Sequence, residues 1–199
     1  ISTKTEIVVC KDYHAEIRKI TFKNETEYDK ELELTSYTEP ILSENMDDIS
    51  HKVFNNMFIS TEYDKQTNTL IAKRKNRGDS DINSYMATRM IIDNAQGEFT
   101  YETERENFIG RNKELSESVG LNKELSNYTG DNLDPILSLR NRVVVKANDS
   151  VTIYLIVGFG IRDRIEQKLR LLLQSVYKKT NFEDNTKDMA MRQVQLRKK

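Results

Sequence analysis

"DPILSLRNRVVVKANDSVTIYLIVGFG", residues 134–160, decides the fold class. Val143, Val144 and Val145 lead up to Asn148-Asp149, and Val151, Ile153, Leu155 and Val157 follow at every second position. Runs rich in β-branched residues on both sides of an Asn-Asp turn, the second of them alternating, predict a hairpin of two long strands. Asp134-Pro135 sets where the first strand starts, because proline fixes its own φ and has no N–H to offer a neighbour.

Upstream, shorter alternating runs recur, each closed by turn residues: "TEIVVC", "EIRKITFKN", "ELELTSYTEPIL", "NTLIAKRK", "SYMATRMIID" and "EFTYET". Pro40 predicts an edge or bend late in the third of these. With 7 Gly and 2 Pro, most turns must rely on Asn, Asp and Ser. Many short strands without alternating helices predict an all-β chain folded as an antiparallel β-sandwich. Two segments carry helical spacing instead. In "ENMDDISHKVFNNMF", Met46, Ile49, Val53 and Met57 recur at 3, 4 and 4, which predicts a helical turn leading into the strand "FISTEY". In "IRDRIEQKLRLLLQSVYK", Ile161, Ile165, Leu169, Leu172 and Val176 predict a C-terminal amphipathic helix. The expected organisation is a sandwich domain over 1–160 and a helix with a polar tail over 161–199.

Composition narrows the function classes. The 199 residues carry a formal net charge of -1, and 32% of them are charged. That balance gives no bias toward nucleic acid or an anionic membrane. From 161 to 199, 11 Lys+Arg face 5 Asp+Glu, net +6, which leaves -7 for the rest. A solvated helix is the simplest account. The one cysteine, Cys10, ends an apolar run and reads as a small buried residue in a chain from a reducing compartment. No apolar run is long enough for a spanning helix, no signal-peptide pattern precedes the first strand, and a cytoplasmic location is expected. The chain begins at Ile1 rather than Met, as a piece of a longer protein would.

Catalytic patterns are sparse. His14 and His51 stand at no ligand spacing from each other or from Cys10, so no metal or cofactor is expected. "GFG", Gly158 to Gly160, follows a strand but has no third glycine and no preceding βαβ pattern, so Gly160 is expected to make a bend rather than a dinucleotide loop. Carboxylates abound, as in "TEYD" and "ETERE", but no pairing is visible. "HKVFNNMFISTE", "NFIGRN" and "GDNLDPILSLR" stand out by mixing aromatic, Gly, Arg and Asp residues. Phe54, Phe58 and Phe108 are expected in the core, with Gly110 at a turn and Pro135 at a strand start. Arg111, Asp134 and Arg140 remain as residues that could meet a sugar or a neighbouring domain, since Arg forks suit phosphate, carboxylate and hydroxyl groups.

Taken in order, "TEIVV", "AEIRKITFKN", "ELELTSYTEPIL", "HKVFNNMFISTE", "FIGR" and "LDPILSLRNRVVV" resemble the β-sandwich region of glycoside hydrolase family 94, over roughly residues 2–178. The likeness is greatest to the 1,2-β-oligoglucan phosphorylases and the C-terminal part of cyclic β-1,2-glucan synthases. The resemblance implies a supersandwich similar to the galactose mutarotase fold, joined by linker helices to an (α/α)6 catalytic barrel. It implies an inverting phosphorolysis of a β-glucan oligosaccharide, with inorganic phosphate as co-substrate and nucleophile. The acid that protonates the leaving oxygen would lie in the barrel, outside this chain. No catalytic residue is therefore carried over. Arg111, Asp134 and Arg140 are expected on the substrate or interdomain side, and the partners are the glucan, the chain's own barrel and a second copy. A stand-alone carbohydrate-binding sandwich is the alternative. Lacking Trp, it would need Tyr as its aromatic platform. A small complete hydrolase would need two acids converging in a cleft.

Overall fold

A computed structural model describes residues 1–10, 14–75 and 84–161. Apart from Ile161, the expected C-terminal helix and tail lie outside the described residues.

Nine strands form two antiparallel sheets among the described residues. β1 (Ser2–Val9), β2 (Ala15–Lys23), β4 (Ile59–Asp64), β5 (Thr69–Arg74), β6 (Ser84–Ile92) and β9 (Ser150–Ile161) build the larger sheet. Its order is β1-β2-β9-β6-β5-β4. β3 (Lys30–Thr35), β7 (Ala95–Glu104) and β8 (Pro135–Val145) build the smaller, in the order β3-β8-β7. Pro135 is the first residue of β8, where a missing N–H costs least.

The two sheets close on a core of Leu70, Ala72, Met90 and Ile92 from one side and Leu137, Leu139, Val143 and Val145 from the other, with Val151 and Ile153. Alternation along β8 places Leu137, Leu139, Val143 and Val145 inward. Ile136, on its opposite face, packs with Phe108, Ile109 and Leu125 in a separate small core.

The Asn148-Asp149 turn is not the hairpin that the sequence predicts. The chain does reverse there, with Asn148 at φ 55 and Asp149 N donating to Lys146 O at 3.2 Å. However, β8 pairs with β3 and β7, while β9 pairs with β2 and β6. The turn crosses from one sheet to the other. Both arrangements send alternate residues into the same core, so periodicity cannot separate them. "GFG" is also corrected: Gly158 and Gly160 lie inside β9, opposite Ala87 and Tyr85 of β6. There is no bend at Gly160 because β6 continues to pair through Ser84.

α1 (Asn45–Asn56) and α2 (Arg105–Ile109) are the described α-helices. α1 is kinked at His51, whose φ and ψ are −143° and 44°. Asn55 supplies the cause, since its Nδ2 donates to Asp47 O at 2.9 Å and His51 O at 3.2 Å, competing with the helix's own ladder.

Candidate functional site

α1 is inverted. It buries Asn55 and Asn56, at 3% and 6% exposure, and turns Met46, Ile49, Val53 and Met57 outward at 55–72%. Phe54 is thus not a core residue as expected, but half exposed and edge-on to Phe58 at 5.2 Å. The asparagines take the inward positions because they meet polar partners there. Asn55 Oδ1 accepts from Arg74 Nη2 at 3.2 Å, and Asn56 Nδ2 donates to Asp134 Oδ1 at 3.2 Å. Phe58 is half-buried, with the Arg74 guanidinium 5.8 Å from its ring centroid.

Asp134 anchors a charged cluster beside this helix. Arg105 Nη1 stands 3.9 Å from Asp134 Oδ2, and Arg105 Nε stands 3.5 Å from Glu39 Oε1. Glu39 accepts from Tyr37 Oη at 2.7 Å and from Lys52 Nζ at 3.1 Å. The loop before β8, the segment after β3, α1 and α2 therefore meet through five side chains. Burial pushes the Asp134 carboxyl above the ordinary range despite Lys52 and Arg105. Burial also works against the Glu39 carboxylate, yet the bonds from Tyr37 and Lys52 hold it below its usual value. Glu104, which accepts from Leu133 N at 3.2 Å, is raised mainly by burial. These carboxylates are held by intrachain bonds, and neither Asp134 nor Glu39 lines the two clefts described next.

Arg140 sits on the floor of a polar cleft of about 660 Å³ lined by Glu33, Gln96, Lys123, Asn127 and Arg142. Its guanidinium is occupied by the chain itself. Nε donates to Thr35 Oγ1 at 2.9 Å and lies 3.3 Å from Glu33 Oε1, Nη1 donates to Lys123 O at 2.8 Å, and Nη2 donates to Gly120 O. A second cleft of about 550 Å³ runs beside the stacked rings of Tyr63 and Tyr101, whose centroids are 4.2 Å apart.

The third residue singled out from sequence stands apart. Arg111 lies exposed in the turn after α2, and the bonds of Asp134 and Arg140 go to other residues. "NFIGRN" is the end of α2 rather than a link between strands. Phe108 is buried at 1%, and Gly110 closes the helix at φ 92, a conformation that favours glycine. Tyr37, Glu39, Lys52, Asn56 and Arg105 were not singled out. Only "ETERE" gave a signal, and in it Glu102 is a buried anchor that accepts from Thr103 N, Glu104 N and Ser126 N at 3.0–3.2 Å. Among the described residues no cluster of His, Cys, Asp and Glu could hold a metal ion, and no helix is long and apolar enough to cross a membrane.

Comparison with known proteins places this geometry. The chain is 33% identical over 159 residues to the cyclic β-(1,2)-glucan synthase NdvB of Rhizobium meliloti (strain 1021), a match over 77% of this chain and 6% of that protein. This chain thus spans a small part of the curated relative. A solved structure described as "Putative kojibiose phosphorylase from human microbiome" aligns over 93% of this chain and 20% of its own, at 13% identity and a TM-score of 0.47. Residues 1–179 match the family description "Glycosyl hydrolase 94, supersandwich domain", and the chain, an antiparallel sandwich of the expected kind, belongs to that family.

Proposed function

We propose that this chain is a non-catalytic supersandwich of a β-glucan phosphorylase-type enzyme, and that it supports a catalytic (α/α)6 barrel carried elsewhere in the parent protein. The inversion of α1 carries this reading. A helix that buries two asparagines and exposes Met46, Ile49, Val53 and Met57 is built to be covered. The remainder of a much longer parent is the occupant that the small share of the relative's length supports. Glu44, Asp47 and Asp48 ring the start of the helix, so a covering surface with basic residues opposite them fits best. The Asp134–Arg105–Glu39 cluster holds the loop before β8 against this helix, and Asp134 would act from the interdomain side.

Phosphorolysis would then need inorganic phosphate and an acid from the barrel. Incubating this chain with β-1,2-glucan and phosphate is expected to yield no glucose 1-phosphate, and any release above a protein-free control would refute the reading. A cytoplasmic location and self-association as a homodimer belong to the same proposal and are checked by fractionation and by light scattering. A second reading, direct carbohydrate binding, is favoured by the Tyr63–Tyr101 stack beside its cleft, which supplies a tyrosine face where the chain has no Trp. Titrating labelled chain with β-1,2-gluco-oligosaccharides tests it, because binding there must shift the Tyr63 and Tyr101 ring signals.

A further inference from the structure

The edge of a sheet presents a row of unpaired N–H and C=O groups, and a long, regular edge pairs with another strand unless something blunts it. Among the described residues the two sheets end in four edges, β1 and β4 in the larger and β3 and β7 in the smaller. Three of them are blunted. β4 is covered by the loop before β8, with Thr61 N donating to Gly130 O at 2.8 Å and Ser60 bridged to Asp131. β7 is plugged by Asn127, whose N donates to Tyr101 O at 2.9 Å and whose Oδ1 accepts from Tyr101 N at 2.8 Å. β3 is short, and Lys30, Glu31 and Glu33 make half of it charged. β1 carries neither cover nor break. It runs for eight residues without proline, in unbroken register with β2 from Ser2 opposite Lys23 to Val9 opposite Glu16, and β2 is its one partner among the described strands.

The side chains of β1 add a second reason for pairing. Ile7 and Val9 are 57% and 66% exposed, and alternation sets them with Thr3 and Thr5 on one face. Lys4 and Glu6 stand on the other face, 3.2 Å apart. We propose that β1 pairs antiparallel with β1 of a second copy about a two-fold axis at Thr5, joining the two six-stranded sheets into one. In that register the strand is complementary to itself. Thr5 faces Thr5, Thr3 faces Ile7, and Lys4 faces Glu6 on both sides of the axis, so that opposite charges meet twice. Opposed residues must be both odd or both even in this pairing, because only then do the N–H and C=O groups of the two edges point at each other. The neighbouring registers are therefore centred on Lys4 or on Glu6, and each sets like charges directly opposite. The contact uses up the β1 edge of both copies, so it closes as a dimer rather than growing into a filament. The inference rests on the self-association proposed above and gives it a surface; it does not depend on any glucan chemistry.

Sedimentation velocity on the full chain tests surface and register together, at low ionic strength because salt screens exposed charges. The wild type is expected to dimerise. Lys4→Glu and Glu6→Lys each put like charges opposite one another at both sites, and each should weaken the dimer about tenfold. Both side chains are solvent-exposed, at 72% and 46%, so neither change touches the core. Mixing the two variants in equal amounts should restore the dimer, as should Lys4→Glu/Glu6→Lys in one chain, and restoration also shows that the variants fold. A wild-type chain that stays monomeric overturns the proposal, and the self-association proposed above falls with it. A dimer that neither variant weakens, or a loss that mixing does not reverse, overturns this surface alone and leaves that self-association to another part of the chain.

Discussion

Arg140→Ala is expected to destabilise the chain strongly without any ligand present. The residue is 7% exposed, and its guanidinium joins three parts of the fold: Thr35 and Glu33 on β3, Lys123 O, and Gly120 O. Hydrogen bonds to a charged group contribute about 1.5–3 kcal/mol each, but they share one side chain and are not additive. Truncation strands the Gly120 and Lys123 carbonyls against the back of β8, with water only partly able to replace the donor. The net loss is expected at about 3–5 kcal/mol, as for other broken buried charge contacts. Against a total of about 5–15 kcal/mol for a domain, this is a large fraction. Urea unfolding followed by circular dichroism gives the figure, provided that the m-value stays constant. Arg140→Lys should recover part of the loss, since an ammonium can reach one acceptor but cannot span two carbonyls and a hydroxyl. Hydrogen exchange should report faster opening of residues 120–123 in both variants. A loss for Arg140→Ala below about 1 kcal/mol, with glycan binding abolished instead, would refute the clamp and restore Arg140 as a ligand-facing residue.

Three further outcomes are expected. Asn24→Ala should cost about 2–4 kcal/mol in urea unfolding, because Asn24, at 0% exposure, donates to Tyr28 O, Val145 O and Lys146 O and accepts from Thr26 N. Gly120→Ala should cost about 1–3 kcal/mol, since the new Cβ would fall 2.7 Å from Phe108 Cδ2 and 2.9 Å from Phe108 O, and the latter is backbone that cannot step aside. Asp134→Asn should alter the pH profile with a defined sign. Asp134 is raised in the folded chain, so its contribution is fully present below the unfolded value of 3.8 and is lost as pH rises through the folded value. Urea midpoints from pH 3 to pH 7 should therefore move in favour of the variant, relative to wild type, as pH rises from about 3.8; an opposite slope would contradict the burial argument. Glu39 works the other way, its contribution appearing above 4.5 and failing as pH falls through its lowered value, so a fall in stability at the acid end should persist in the variant.

Strand placement was legible because alternation is a local property. Pairing was not. Val143, Val145, Val151 and Ile153 all point into one core whether the turn at Asn148 makes a hairpin or a crossing between sheets, so only long-range partners decide. α1 shows a second limit. Its spacing was visible at Met46, Ile49, Val53 and Met57, but the rule that the apolar stripe faces the core failed, because Asn55 and Asn56 hold the inward positions through Arg74 and Asp134. At the candidate site, Arg140 and Asp134 stood out in the sequence by residue type and turn context. Nothing local could reveal that Arg140 spends its donors on carbonyls 17 and 20 residues away, or that Asp134 meets a helix 78 residues earlier. Arg111 remained unsupported because exposure on a turn is not encoded by its neighbours.

The burial of β6 and β8 departs from the pattern of a simple sandwich. A two-layer antiparallel sandwich should leave the outer face of each sheet polar, so that its strands alternate. β6 instead is buried at eight of nine positions, and β8 at nine of eleven. For β8 the reason is visible: α2 and residues 119–125 lie over Ile136 and Arg140 as an added layer. β6, at the centre of the other sheet, turns Tyr85, Ala87 and Ile91 to the face away from the inner core, where they cluster with Ile17, Ile71 and Ile156. Among the described residues, the smaller sheet is therefore backed by a third layer of its own, beside the cleft that opens over Arg140. On α1 the apolar side chains stand outward, with Met46, Ile49, Val53 and Met57 exposed. The interdomain contact proposed above falls beside Asp134, whose Oδ1 accepts from Asn56 of this helix.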